Sequence, residues 1–342
     1  MDETSPVISE EARQNRSRIY ELVPQMRVYH RLLHGQIWLP FVMRAVLPNI
    51  RQDVVNTDQW GLRHTIGREG RVLTVDSVAA DEPVDIVTGS SFAFGVGAST
   101  DASTLGSNLA QMTGRATVLL SGHQYALTQS FVQFMLFSSR FRAIRNIVVA
   151  GFGELFYFHT CSSLHRRFGL FPNNEKFMSE LNPGVPGRLG TMLYGGQRKP
   201  FMPLSHTADQ AETEREALRS CIRDVLTSWS RYAGALGARL TVVVQPTPNL
   251  QPRRLAAEEM ELLQNYERVS GLREAIEACR RDYDAWHAAD MAALAVELGF
   301  TYVDINTRLD QRFDGEWLHI DPMHMADLGY RRAAEEIVPE LA

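Results

Sequence analysis

The sequence predicts an α/β fold built on a parallel sheet, and three observations carry that prediction. From Asp85 onward, short apolar runs alternate with helical stretches, the signature of a sheet covered on both faces. The runs are rich in β-branched residues and are bounded by Gly, Pro or polar residues, as doubly buried strands are. A Gly-Ser-Ser turn early in the pattern and an Asp-x-x-His near its end fall where strands give way to helices, the edge at which such sheets bind ligands.

Taken in order, the first 83 residues stand outside the repeating pattern. Glu10 to Leu33 reads as an amphipathic helix broken at Pro24. Ile37 to Val46 adds apolar surface, residues 56–67 (NTDQWGLRHTIG) are turn-rich, and Val72 to Val75 is a short strand candidate. This much apolar surface does not hang free, so residues 1–83 are expected to pack on the main domain, residues 84–342, as an extension.

Within the main domain, strands are expected at Asp85 to Thr88, Ala116 to Leu120, Asn146 to Ala150, Leu240 to Gln245 and Thr301 to Ile305. Helices are expected near 102–113, 126–143, 211–236, 272–298 and 325–339. The third has the clearest spacing: Leu218, Ile222, Val225, Trp229 and Ala233 share a face, and Gly237 supplies the stop. In the fourth, Leu272, Ile276, Cys279, Tyr283 and Trp286 recur in the same way, which marks them as core. Two insertions interrupt the order. Residues 155–209 carry NNEKF, NPGVPG and YGGQRKP with little periodicity and are expected to form a lid after the third strand. Residues 247–271 begin TPNLQPRR and become a charged helix to which no chemistry is assigned.

Composition sets the outer bounds. The 342 residues are 44% hydrophobic and 22% charged, as globular chains are. A net charge of -5 argues against an electrostatic nucleic-acid surface. Cys161, Cys221 and Cys279 show no paired metal spacing, and so sparse a set suits a reducing compartment. The acidic start MDETSPVISEEARQ lacks the features of a secretory signal, and the apolar run Ile37 to Leu47 is interrupted by Pro40 and Arg44. These features lead to the expectation of a soluble, cytoplasmic protein without a transmembrane segment.

Chemistry concentrates in two places. In DIVTGSSFAFGVG, Ser91 follows the first sheet strand directly; Gly89 permits a tight turn, and Gly95 and Gly97 permit close backbone approach. No Gly-Lys-Ser/Thr follows, which excludes a phosphate-binding P-loop. In LHIDPMHMADLGY, Asp321 precedes His324 by three residues. Each segment alone reads more simply as a turn or a helix start than as a site. Together they place a hydroxyl, an imidazole and a carboxylate at one sheet edge, which is what nucleophilic catalysis requires.

With these residues in view, the chain resembles the SGNH (GDSL-type) serine hydrolases. Gly89-Ser90-Ser91 with Gly95 is similar to their first block. Asp321, His324, Met325 and Gly329 are similar to their last. Gly122, followed by Tyr125 and Gln129, is similar to the second block, where Gln124 is a competing position for the glycine. Asn56, Gly61 and Arg63 resemble a motif upstream of the first block. There are two departures. Ser90 stands where the family usually has Asp, and the third block, normally Gly-x-Asn-Asp, reads Gly151-Phe152-Gly153-Glu154. Gly153 thus replaces the asparagine whose amide completes the oxyanion hole, and losing one such donor typically costs about 10²–10³ in turnover. His123 and Gln129 are candidate substitutes. His159, His165, His206 and the Arg166-Arg167 pair lie in or beside the expected lid without metal-ligand spacing.

The resemblance implies a three-layer α/β/α, flavodoxin-like fold around a five-stranded parallel sheet. It implies Ser91 as nucleophile, His324 as general base and acid, and Asp321 as the orienting carboxylate. The oxyanion hole would be formed at Ser91 and Gly122, with Gly153 at the usual asparagine position. The reaction would be acyl transfer from a small-molecule ester or thioester, with no metal or organic cofactor. Two alternatives stay open: an acyltransferase or specialised biosynthetic enzyme using the same residues, and a non-catalytic binding module on the same fold.

Overall fold

A computed structural model describes residues 10–34, 37–39, 41–160, 208–270 and 273–342. Its centre is a five-stranded, all-parallel sheet in the order β6-β5-β7-β8-β9. These strands are β5 (Val84–Gly89), β6 (Ala116–Ser121), β7 (Ile144–Phe152), β8 (Arg239–Val244) and β9 (Thr301–Val303). All five expected strands form. Every residue of β5 and β6 is buried, which is why they read as continuous apolar runs rather than alternating ones. The last strand is shorter than expected, because the chain turns at Asp304, whose carboxylate caps the short helix Ile305–Arg308.

Helices cover both faces and complete three layers. One face carries α4 (Leu105–Thr113) packed with the helix Asp327–Ile337; the other carries α5 (Leu127–Ser138), Ala208–Leu236 and Ala288–Leu298. Leu218, Ile222, Trp229 and Ala233 are buried as their spacing requires, and the helix they belong to ends at Gly237, whose φ of 67° supplies the left-handed stop. The stretch expected as one helix over 272–298 is Arg273–Asp282, then a π-helical turn at Tyr283–His287, then Ala288–Leu298.

Ahead of the sheet, α1 (Glu10–Leu22) and α2 (Met26–His34) are separated at Pro24. Two small antiparallel pairs follow: β1 (Ile37–Leu39) with β2 (Met43–Ala45), and β3 (Thr65–Ile66) with β4 (Val72–Leu73). Ile19, Val23, Met26 and Tyr29 join Phe94, Val96, Leu262 and Ile320 in a second apolar cluster, distinct from the one that fills the sheet layers. That cluster lies beneath both the Ser91 turn and the Asp321 loop. No helix among the described residues is long and apolar enough to cross a membrane.

Candidate active site

Strand order places the site. The sheet reverses its winding between β5 and β7, and the crevice beyond the carboxyl ends at such a reversal is where these sheets hold ligands. Ser91 leaves β5 there as the first residue of a one-turn helix, α3 (Ser91–Phe94). The turn depends on Gly89: its φ is 139°, and a Cβ would stand 1.9 Å from the Ala150 carbonyl oxygen. Ser90 Oγ donates to the Gly151 carbonyl and lies 3.3 Å from Gln245 Oε1, tying the exits of β5, β7 and β8 together.

Two hundred and thirty-three residues further on, His324 Nε2 lies 2.9 Å from Ser91 Oγ. His324 Nδ1 lies 2.6 Å from Asp321 Oδ2. The other carboxylate oxygen, Oδ1, accepts from the backbone N–H of Met323 and of His324 at 2.8 Å each. Burial alone would push the Asp321 carboxyl up. The adjacent His324 imidazole and these N–H groups outweigh it and hold the carboxyl below its ordinary value. The sequence-predicted serine, histidine and carboxylate are therefore brought together in hydrogen-bonded order.

The loop bearing Asp321 and His324 is held from outside. Gln245 Nε2 donates to the Met323 carbonyl at 2.6 Å. Glu259 Oε1 accepts from the N–H groups of Leu318 and His319 at 3.0 and 2.8 Å, while Arg253 pairs with Glu259 at full burial. Neither contact was marked in the sequence. Gln245 looked like the last residue of a strand, and Arg253 and Glu259 looked like part of a charged surface stretch.

Upstream residues grip the turn behind Ser91. Arg63, fully buried, pairs with Asp101 at 2.7 Å and donates to the carbonyls of Phe94, Gly95 and Val54. Tyr29 donates to Gly95 and Ala98, Gln25 to Gly97, and Tyr330 to Val96. Asn56 binds Asp101 through its backbone N–H and its side chain. Gly61 lies against the Val46 carbonyl, where a Cβ would meet the oxygen at 2.2 Å. Asn56, Gly61 and Arg63 thus support the serine's turn from behind.

The proposed oxyanion positions differ from one another. The Ser91 N–H is at the start of α3, one of the leading N–H groups a helix cannot use internally. The Gly122 N–H points to the Gly89 carbonyl at 3.3 Å, prolonging the β5–β6 ladder by one rung. A Cβ at Gly122 would lie 2.3 Å from the Tyr125 ring, which explains the glycine. At Gly153, a Cβ would lie 3.3 Å from the Tyr157 ring and 3.6 Å from its hydroxyl, so that side chain borders the place an asparagine would use. Gln129 is engaged at both ends of its amide: its Oε1 accepts from Ala126 N–H at 3.1 Å and its Nε2 donates to the Val42 carbonyl at 3.2 Å. His123, 7% exposed, lies with its ring centroid 6.2 Å from that of His324, the planes 27° apart.

Glu154, at the position of the family's block-three aspartate, has a capping function. Its Oε1 accepts from Leu127 N–H at 2.5 Å at the start of α5, and its Oε2 is buried without a hydrogen-bond partner among the described residues. Burial pushes the carboxyl up to about 7, against the lowering effect of that N–H. The folded protein therefore holds this proton more tightly than the unfolded chain does. The associated stability is complete below the ordinary carboxyl range near 4.5 and is lost as pH rises through about 7. It amounts to about 3 kcal/mol. Glu154→Gln should remove this dependence: urea midpoints of the variant are expected to match wild type at pH 5 and exceed it at pH 8.5. Equal midpoints at both pH values would show that the carboxyl ionises freely in the fold.

Beside Met323 a small cleft of about 50 Å³ opens, bordered by Leu155, Phe156, Leu250, Ile276 and Tyr283. Cys279 also lines it, but burial pushes its thiol up, as it pushes that of Cys221 to about 11, so neither is an activated nucleophile. His159 pairs with Asp282 at 2.8 Å, whose other oxygen takes Arg215. Of the lid expected at 155–209, residues 155–160 belong to the helix Glu154–Thr160 after β7 and residues 208–209 begin the helix Ala208–Leu236; residues 161–207, with Cys161, His165, Arg166, Arg167 and His206, lie outside the described residues.

Comparison with solved structures finds similar folds, among them these three. A protein named as an SGNH hydrolase of Slackia heliotrinireducens is 13% identical with a TM-score of 0.37, over 77% of this chain and 100% of its own. TesA is 14% identical with a TM-score of 0.38, over 75% and 97%. A protein named as a GDSL-like lipase of Bacteroides ovatus is 12% identical with a TM-score of 0.33, over 77% and 53%. No family model matches the chain, and no curated protein matches it in sequence.

Proposed function

We propose that the chain is a serine hydrolase that cleaves an ester or thioester of a small molecule through an acyl-enzyme at Ser91. The observation that carries this reading is the unbroken relay from Ser91 Oγ through His324 to Asp321, at 2.9 and 2.6 Å. In the first half-reaction Ser91 Oγ attacks the acyl carbon while His324 Nε2 takes the hydroxyl proton. His324 then returns that proton to the leaving alcohol or thiol as the tetrahedral intermediate collapses. Water, activated by the same imidazole, releases the acid and regenerates Ser91. The negative charge on Asp321 keeps the His324 proton on Nδ1 and stabilises the imidazolium. The apolar cleft beside Met323 suits an apolar acyl group, with affinity coming from the surface it buries.

A fluorophosphonate probe tests the assignment. Mass spectrometry is expected to find the adduct on Ser91, and labelling is expected to collapse in His324→Ala. A folded wild-type protein that stays unlabelled would remove Ser91 as nucleophile.

A second reading keeps the acyl-enzyme and changes the acceptor. Gly153 supplies no side chain to the oxyanion, and the cleft wall is apolar, both of which suit an enzyme that admits an alcohol or amine in preference to water. Product analysis with and without such an acceptor separates the two, since free acid in every case excludes transfer. The non-catalytic reading requires Ser91→Ala to leave the protein's biochemical effect unchanged.

A further inference from the structure

Acyl transfer places negative charge on the former carbonyl oxygen, and rate depends on donors already aimed at that charge. The donors around Ser91 can be counted from the contacts above. The Ser91 N–H is available at the start of α3, whereas the Gly122 N–H rests on the Gly89 carbonyl at 3.3 Å. Position 153 has no side chain, and both ends of the Gln129 amide are committed to Ala126 and Val42.

We infer that an imidazole N–H of His123 is the side-chain donor to the oxyanion, an inference that rests on the acyl-enzyme reading of Ser91. His123 leaves β6 at the same sheet edge as Ser91, two residues after the strand ends. Its ring is stacked beside His324, the residue that touches Ser91 Oγ. The residue is 7% exposed, yet Nδ1 has no hydrogen-bond partner among the described residues. A buried polar atom left unpaired is costly, and a substrate oxygen that becomes anionic during turnover would satisfy it.

The charge state fits the role. Burial first, then the neighbouring His324 and Arg44, hold the His123 imidazole well below its ordinary pKa. It therefore stays neutral while His324 takes up the serine proton, and a neutral imidazole always keeps one N–H to donate. The ring also offers the growing charge a fixed dipole without adding a second cation beside the imidazolium.

The test uses the full chain, a p-nitrophenyl ester and the fluorophosphonate probe. His123→Phe keeps an aromatic ring and removes the donor, while His123→Asn keeps an N–H. The expected result is a kcat about 10²–10³ lower in His123→Phe with KM nearly unchanged, and a kcat within about tenfold of wild type in His123→Asn. Ser91 labelling should slow in the same order, and Tyr157→Phe should stay near wild type. Should His123→Phe melt early, His123→Ala replaces it as the donor-free variant.

The inference is overturned if the donor-free variant turns over like wild type. It is also overturned if Asn and Phe are equally slow, or if the loss appears in Tyr157→Phe instead. Wild type that neither labels nor turns over overturns the nucleophile reading, and this inference with it. Wild type that labels alongside an equally reactive donor-free variant overturns this inference alone.

Discussion

Asp321→Asn is expected to lower kcat about 10⁴-fold with little change in KM or melting temperature, the size of effect known where a histidine is forced into the wrong tautomer. The geometry determines the outcome. Oδ1 of Asp321 is fixed by the N–H groups of Met323 and His324, so an asparagine at this position must present its carbonyl oxygen there. Its NH₂ then faces His324 Nδ1, where Oδ2 now stands at 2.6 Å. An N–H facing Nδ1 requires Nδ1 to accept, which moves the imidazole proton to Nε2. Nε2 then can no longer take the proton of Ser91 Oγ. Steady-state kinetics on a p-nitrophenyl ester, with circular dichroism as the folding control, measures this. Wild-type turnover in Asp321→Asn would show that His324 is oriented by something other than the carboxylate.

Arg63→Met is expected to cost about 3–5 kcal/mol, because it strands a buried carboxylate and several carbonyls at once. The guanidinium is fully buried and 2.7 Å from Asp101, and it donates to the carbonyls of Phe94, Gly95 and Val54. The stacked placement over the Phe94 and Tyr29 rings adds a smaller attraction. Arg63→Lys should recover only part of the loss, since an ammonium cannot reproduce a planar fork toward several acceptors. Urea denaturation of the three proteins checks this, and a double-mutant cycle with Asp101→Asn isolates the ion pair. A loss below about 1 kcal/mol in Arg63→Met would mean that water replaces the side chain at these acceptors. Activity should fall as well, since these carbonyls belong to the turn that aims Ser91, and a misplacement of about 1 Å can cost about 10²-fold.

What was legible in the sequence is what local chemistry enforces. A doubly buried parallel strand is mostly apolar on both faces, so Val84–Gly89 and Ala116–Ser121 were visible as runs despite Asp85 and Thr88. Asp321 and His324 were visible because a three-residue spacing lets the carboxylate accept from the backbone and meet the ring. Gln245 and Glu259 left no such trace, because the backbone groups they hold lie about sixty to eighty residues away and no periodicity connects them. The π-helical turn at Tyr283–His287 was hidden for the opposite reason: its apolar spacing is that of an unbroken helix. His123 and Gln129 looked alike as candidate donors. They separate only when their partners are known: among the described residues His123 has a ring nitrogen without a partner, while Gln129 is bonded at both ends of its amide.

The carbonyls of residues 94–98 bear on the order in which the molecule becomes competent. They are held by side chains 31 to 234 residues away, from both ends of the chain. Closing such long loops is slow and entropically costly, so these bonds come only after both termini have docked. Until then the carbonyls are left to water and the serine has no fixed direction. If Ser91 is the nucleophile, as proposed, it is armed by the completion of the fold rather than by any one element. A nascent or partly unfolded chain carries the same three side chains without the geometry to use them.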